Sequence, residues 1–165
     1  MSPSAPAPLA DHHQFEAFNS GVPALDDWLK RRARANQISG ASRSFVTCSD
    51  DSIIGYYALA AGGVNAAAAP GRFRRNMPEP IPVAVLARLA VDHTFHGRGI
   101  GRALFRDGAL RVMQAAEAIG IRGMLVHAIS DEAKAFYLAL GFLESPLEPM
   151  TLMVTLSELR STASS

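Results

Sequence analysis

Three glycines within five residues, Gly97, Gly99 and Gly101, follow an apolar run and open a helical pattern. Glycine lets the backbone turn tightly and presents its N–H groups to a ligand with no Cβ in between. At a helix N-terminus those donors lack intrahelical partners and sit at the positive end of the dipole, so they favour an anion. The segment therefore predicts a phosphate cradle. Two familiar phosphate sites are excluded by spacing. A dinucleotide fingerprint starting at Gly97 needs a third glycine at position 102, which is Arg102. A nucleotide-binding G-x-x-x-x-G-K-[S/T] string is absent.

The elements that must position this loop follow from local patterns. Ile81 to Val91 is almost wholly apolar, as a strand buried on both faces should be. Gly99 to about Ile119 reads as a helix with Ile100, Leu104, Ala109, Val112 and Ala116 inward. Arg122 to Ile129 reads as a second buried strand. Ser130 then caps a helix whose first turn carries Asp131 and Glu132 and which stops at Gly141. Phe142–Leu143 and Met150–Leu156 supply final strands. Upstream, Val22-Pro23 starts a helix over Ala24 to about Ala35. Leu25, Trp28, Leu29 and Arg32 form one stripe of it, with Lys30, Arg31 and Arg34 more exposed. Ser44–Cys48 and Ile53–Ala61, the latter holding Tyr56 and Tyr57, flank a Ser49–Ser52 turn and predict a hairpin. Residues 62–80 hold three prolines and three glycines and read as a long loop. The expected fold class is α/β (α+β layered), a mixed central sheet with helices on both faces.

Composition sets outer bounds. A chain of 165 residues and 17.6 kDa fits one domain with a sizeable core, expected over residues 11–160 between flexible tails at 1–10 and 161–165. A hydrophobic content of 48% excludes wholesale disorder. No apolar run approaches the ~20 residues of a membrane span. Met1–Pro8 lacks the basic-then-apolar order of a secretory signal. The single cysteine, Cys48, excludes an internal disulfide or a cysteine-based metal cluster, and the five histidines lack ligand spacing. A cytoplasmic protein without a metal or a membrane partner is expected. Net charge is +1, but residues 28–80 hold eight basic side chains against Asp50, Asp51 and Glu79.

The string His96-Gly-Arg-Gly-Ile-Gly101, in this β-α context, resembles the [Q/R]-x-x-G-x-[G/A] loop of the GCN5-related N-acetyltransferases (GNAT). His96 stands where that family usually has Gln or Arg. The resemblance implies a GNAT N-acetyltransferase fold. It also implies acetyl-CoA as cosubstrate, its pyrophosphate held by His96, Gly97, Arg98, Gly99, Ile100, Gly101 and Arg102, with Ser130 nearby in the cofactor site. The strand before the loop would offer the backbone of Leu89, Ala90 and Val91 to the pantetheine and thioester. Tyr137, in Asp131-Glu-Ala-Lys-Ala-Phe-Tyr137, matches the helix whose tyrosine approaches the CoA sulfur, and would be the catalytic residue.

Acyl transfer from a thioester needs a neutral amine, a stabilised oxyanion and a proton for the departing thiolate. Backbone N–H groups near Leu89–Val91 can meet the second need. A phenol of pKa about 10 can protonate an alkyl thiolate whose conjugate acid lies near 8.5. An α-amine of pKa about 7.7–8.0 is partly neutral near pH 7, whereas a lysine near 10.4 needs a dedicated base. Asp92 and His93 could assist but read mainly as a solvated turn, and His127 as a satisfied core histidine. The pattern leans towards an α-amine acceptor.

Three further stretches, Gly21–Leu29, Pro70–Val83 and Ile119–Ser130, with the glycine loop and Phe136-Tyr137, resemble the GNAT toxins of type II toxin–antitoxin modules over residues 14 to 159. That resemblance implies acetylation of the α-amino group of aminoacyl-tRNA and arrest of translation. It implies a ribbon-helix-helix antitoxin as partner, repression of operator DNA through that antitoxin, and a homodimer. Arg72, Arg74 and Arg75, with Phe73 between, and Arg34 are candidate RNA contacts, since cations interleaved with an aromatic suit a single-stranded terminus. Two other functions remain open on the residues: acetyl transfer to peptide N-termini or small amines, and a GNAT module that binds CoA without turnover.

Overall fold

The computed structural model describes residues 3–163 and divides them into two compact units. One comprises the residues up to Ala60 with Ala87–Gly108; the other comprises Ala61–Leu86 and the residues from Ala109 on. Seven strands order as β1-β2-β3-β4-β5-β7-β6 in one sheet. They are β1 (Ala7–Pro8), β2 (Arg43–Ser49), β3 (Ser52–Val64), β4 (Ile81–Val91), β5 (Gly123–His127), β6 (Leu143–Glu144) and β7 (Thr151–Thr155). The helices are α1 (Pro23–Arg31), α2 (Ala33–Ser39), α3 (Gly71–Arg74), α4 (Ile100–Ala115), α5 (Asp131–Ala139) and α6 (Leu156–Ala163). β4 and β5 run parallel over Ala84–Leu86 against Met124–Val126, and β5 and β7 run antiparallel, so the sheet is mixed.

In the first unit, β2 and β3 form the expected hairpin, and Asp50 in its turn adopts φ +56°. Tyr56 points to one face, its ring stacked with Trp28 at 6.0 Å and its hydroxyl donating to Leu25 O at 2.6 Å. The adjacent Gly55 faces Leu104 of α4, whose side chain a Cβ there would approach to 3.0 Å. Successive strand residues point to opposite faces, so α1 and the first half of α4 cover opposite sides. The core on the α1 side joins Phe18, Leu25, Leu29, Val46, Ile53, Tyr56 and Ala90. Tyr56 and Tyr57 are fully buried, and the Tyr57 hydroxyl bonds Asp107.

In the second unit, Phe73, Ile81, Val83, Leu125 and Met153 form the core. Arg122 holds α3 against it, donating Nε–H to Phe73 O and Nη2–H to Arg72 O, each at 2.8 Å. Thr155 and Glu158 cap α6 reciprocally, the Glu158 N–H donating to Thr155 Oγ1 at 3.2 Å and the Thr155 N–H to Glu158 Oε1 at 3.1 Å.

Several expectations change. The 1–10 tail is tied down from Ser4 to Leu9: Ala7 pairs with Val46, the Leu9 N–H donates to Ser44 O at 2.9 Å, and Leu9 is buried. Backbone pairing to a sheet edge needs no side-chain pattern, so the Pro/Ala-rich sequence gave no sign of it. The tail expected at 161–165 is partly helical, since α6 runs to Ala163; residues 164 and 165 lie outside the described residues. The helix expected over 24–35 breaks at Arg32 and resumes as α2, leaving Arg32 exposed. α4 ends at Ala115, four residues early, and β3 extends to Val64.

Candidate functional site

The glycine loop joins β4 to α4 inside the first unit. β4 extends past its ladder with β5, which ends at Leu86, so Leu89–Val91 lie beyond that pairing. A short 3-10 turn over His93–Phe95 follows, capped by Asp92. Asp92 is 7% exposed, and its carboxylate accepts from the Asn19 N–H at 3.0 Å, the Thr94 N–H at 3.0 Å and the Thr94 hydroxyl at 2.7 Å. Burial pushes this carboxyl up, yet those hydrogen bonds, with His93 alongside, outweigh burial and hold it below the usual carboxylate range. The expected solvated turn is therefore a buried bracket that fixes the loop's entry. His93 is exposed, and its Nδ1 lies 2.9 Å from Asn19 O.

His96 packs its ring edge back on β4, with Nε2 at 2.7 Å from Val91 O. That contact positions the chain for two left-handed residues, Gly97 at φ +78° and Gly99 at φ +77°. A Cβ at either position would meet nothing within 4 Å. Backbone conformation rather than crowding thus requires glycine, and the space beside the loop is open. α4 begins at Ile100, so the N–H groups of Ile100, Gly101 and Arg102 have no intrahelical acceptor. Arg98 and Arg102 are exposed, and the Arg98 guanidinium lies over the Phe95 ring at 4.9 Å. Open donors, a helix N-terminus and two arginines fit a diphosphate, so these residues fit the phosphate end of CoA.

Tyr137 belongs to the second unit. It sits on α5, capped as expected by Ser130, whose Oγ accepts the Ala133 N–H at 3.1 Å. The Tyr137 ring is 6% exposed and packs edge-on against Phe136 at 5.1 Å and Phe142 at 5.5 Å. Burial pushes its phenol well above the ordinary tyrosine value. The group therefore stays protonated at neutral pH and can act only as a proton donor there.

The four arginines read as RNA contacts have different fates. Phe73 is 1% exposed within the second unit's core, so it offers no ring for a base to stack on. Arg72 pairs with Glu158 at 2.7 Å and lines a cavity of about 840 Å³ with Arg122 and Arg160, a cavity that contains no glycine-loop residue. Arg74 and Arg75 are exposed. Arg34, in the first unit, donates to the carbonyls of Asp11 and His13 and lies over Phe15 at 4.6 Å, clamping the chain before α1. His127 is exposed at the end of β5, its Nδ1 3.0 Å from Thr151 Oγ1, and not a core residue. Arg88, on β4, lies over the Trp28 ring at 5.2 Å. Among the described residues no cluster of His, Cys, Asp or Glu could hold a metal ion, and no helix is long and apolar enough to cross a membrane.

Comparison with known proteins matches this architecture. Residues 40–144 match the model of the acetyltransferase (GNAT) domain. The chain is 51% identical, over 96% of its own length and 95% of the relative's, to the tRNA-acetylating toxin of Mycobacterium tuberculosis (strain ATCC 25618 / H37Rv). Among solved structures, a tyrosine-to-phenylalanine mutant of KacT superposes with a TM-score of 0.90 at 25% identity, over 98% of this chain and 99% of that one. AtaT complexed with acetyl-methionyl-tRNAfMet gives a TM-score of 0.88 at 25% identity, over 97% and 98% of the two chains. AtaTR bound with acetyl-CoA gives 0.82 at 26% identity, over 96% of each.

Proposed function

From the premise that this chain belongs to the GNAT acetyltransferase family, and within it to the tRNA-acetylating toxins, we propose that it transfers acetyl from acetyl-CoA to the α-amino group of aminoacyl-tRNA and so blocks translation. The observation that carries this is the 51% identity running through 96% of the chain. It is supported by the phosphate-competent loop between β4 and α4.

Acetyl-CoA supplies the acetyl group as an activated thioester. The N–H groups of the His96–Arg102 loop bind its pyrophosphate, with Arg98 and Arg102 adding charge. Backbone groups at Leu89, Ala90 and Val91 hold the thioester end, and an N–H there stabilises the oxyanion of the tetrahedral intermediate. The amine attacks the thioester carbon, the C–S bond breaks as the intermediate collapses, and the thiolate takes a proton from Tyr137. The proton shed by the acylated nitrogen returns the phenolate to its neutral form, directly or through water. Asp92 is committed to Asn19 and Thr94, which favours an acceptor amine that arrives neutral over one needing a base.

The partners of this reading are tRNA and an antitoxin. In finer detail, the antitoxin is of ribbon-helix-helix type and carries the complex to operator DNA, the toxin is a homodimer, and exposed Arg74 and Arg75 contact RNA phosphates while Arg72 and Arg34 serve mainly structural contacts. The test is incubation with labelled acetyl-CoA and either aminoacylated or deacylated tRNA. Label is expected on the aminoacylated form alone. Equal labelling of both overturns the reading, and activity on peptide N-termini or small amines without growth arrest replaces it.

A further inference from the structure

The N-terminal segment lies beside the phosphate loop. Ser4 is stitched to β2 by three bonds: its N–H donates to Cys48 O at 2.9 Å, its Oγ accepts the Cys48 N–H at 3.0 Å, and its carbonyl accepts from Thr47 Oγ1 at 2.5 Å. With the Ala7–Val46 pairing, these bonds hold Pro3–Pro6 in one path along the sheet edge. Between that path and the first turn of α4 lies a cavity of about 440 Å³. Pro3, Pro6, Ile100 and Ala103 give it apolar walls, and Arg98 and Gly99 belong to its lining.

Arg98 and Gly99 are also part of the phosphate cradle. A ligand whose diphosphate is bound there carries two arms, and one that leaves the cradle on this side enters the cavity at once. The volume lies within the range of small-ligand sites. The apolar walls suit the face of a purine, and the exposed Arg98 guanidinium suits a phosphate on its ribose. The pantetheine arm has the opposite need, a slot of backbone hydrogen-bonding groups, which Leu89–Val91 provide on β4.

We propose that the nucleotide arm of acetyl-CoA occupies this cavity, with Pro3–Pro6 forming one wall of the cofactor site. The inference rests on the acetyl-CoA reading above and adds a residue segment that selects for the nucleotide.

Two variants test it: a chain lacking residues 1–6, and Ala5→Trp, which fills the cavity while keeping the Ser4 and Ala7 contacts. KM is measured with acetyl-CoA and with S-acetyl-4′-phosphopantetheine, which lacks the nucleotide. In both variants KM for acetyl-CoA should rise about tenfold, with KM for the truncated donor unchanged. An equal rise for both donors would show that the segment only props the loop, and no rise for either would leave the cavity outside the cofactor site; each overturns the proposal. If the shortened chain fails to fold by circular dichroism, Ala5→Trp decides alone. Failure of the wild-type protein to bind acetyl-CoA in calorimetry would instead overturn the underlying reading, and the inference with it.

Discussion

At Tyr137 a side chain is buried by its neighbours and still has chemistry available to it. Its ring is held edge-on by Phe136 and Phe142, and burial keeps the phenol protonated far above neutral pH. Tyr137→Phe should lower kcat for acetyl transfer by about 10²–10⁴-fold while leaving the dissociation constant of CoA nearly unchanged, as read by single-turnover kinetics and calorimetry. Because the phenol's folded pKa is raised, its contribution to stability is complete below about pH 10 and is lost above it. The pH–rate profile should accordingly show an acidic limb set by the acceptor amine and no phenol limb below pH 10. Asp92 behaves in the opposite sense. Its folded pKa is depressed, so its contribution is present above about pH 4 and disappears as pH falls through the folded value. Asp92→Ala strands the Asn19 N–H in a part-buried position and should cost about 1–3 kcal/mol in a urea melt. A turn at Asp92-His93 and Phe136-Tyr137 on a capped helix were legible. Their burial was not, because it depends on chain segments distant in sequence.

Elements differ in how local their causes are. β4 spans Ile81–Val91 as its apolar run requires, and α5 begins at Ser130, a cap already visible in the sequence. α1 and α2 share one helical pattern in the sequence, yet the helix breaks at Arg32, whose φ of −122° departs from helical geometry. β1 consists of two residues stabilised only by β2, so no periodicity announces it. β5 shows the sharpest dependence on a neighbour. A Cβ on Gly123 would fall against Val154 O and lie 2.9 Å from Thr155 Cα, so β5 and β7 can approach only with glycine there. Gly123→Ala should destabilise the protein by more than about 3 kcal/mol in thermal or urea unfolding. Gly120→Ala, whose Cβ meets nothing within 4 Å, is the control and should stay within about 1 kcal/mol.

For the whole molecule, the one cysteine reports on opening. Cys48 is buried in the first unit's core, and burial, with Asp51 nearby, pushes its thiol up to about 11. At pH 8 the native protein should react with a thiol reagent far more slowly than the urea-unfolded chain, whose cysteine titrates near 8.5. Removing residues 1–6 takes away the Ser4 contacts on Cys48 and should speed the native reaction; an unchanged rate would show that opening elsewhere controls access. By itself the sequence determined the glycine loop, the order of the main elements and the family. Each of these resides in contiguous residues, where φ preference, capping and hydrophobic period act over a few positions. Tertiary structure decided which arginines are available, that Phe73 and Asp92 are interior, and that the N-terminal residues pair with the sheet edge. Those outcomes depend on long-range packing and backbone pairing, for which a linear pattern carries no distinct mark.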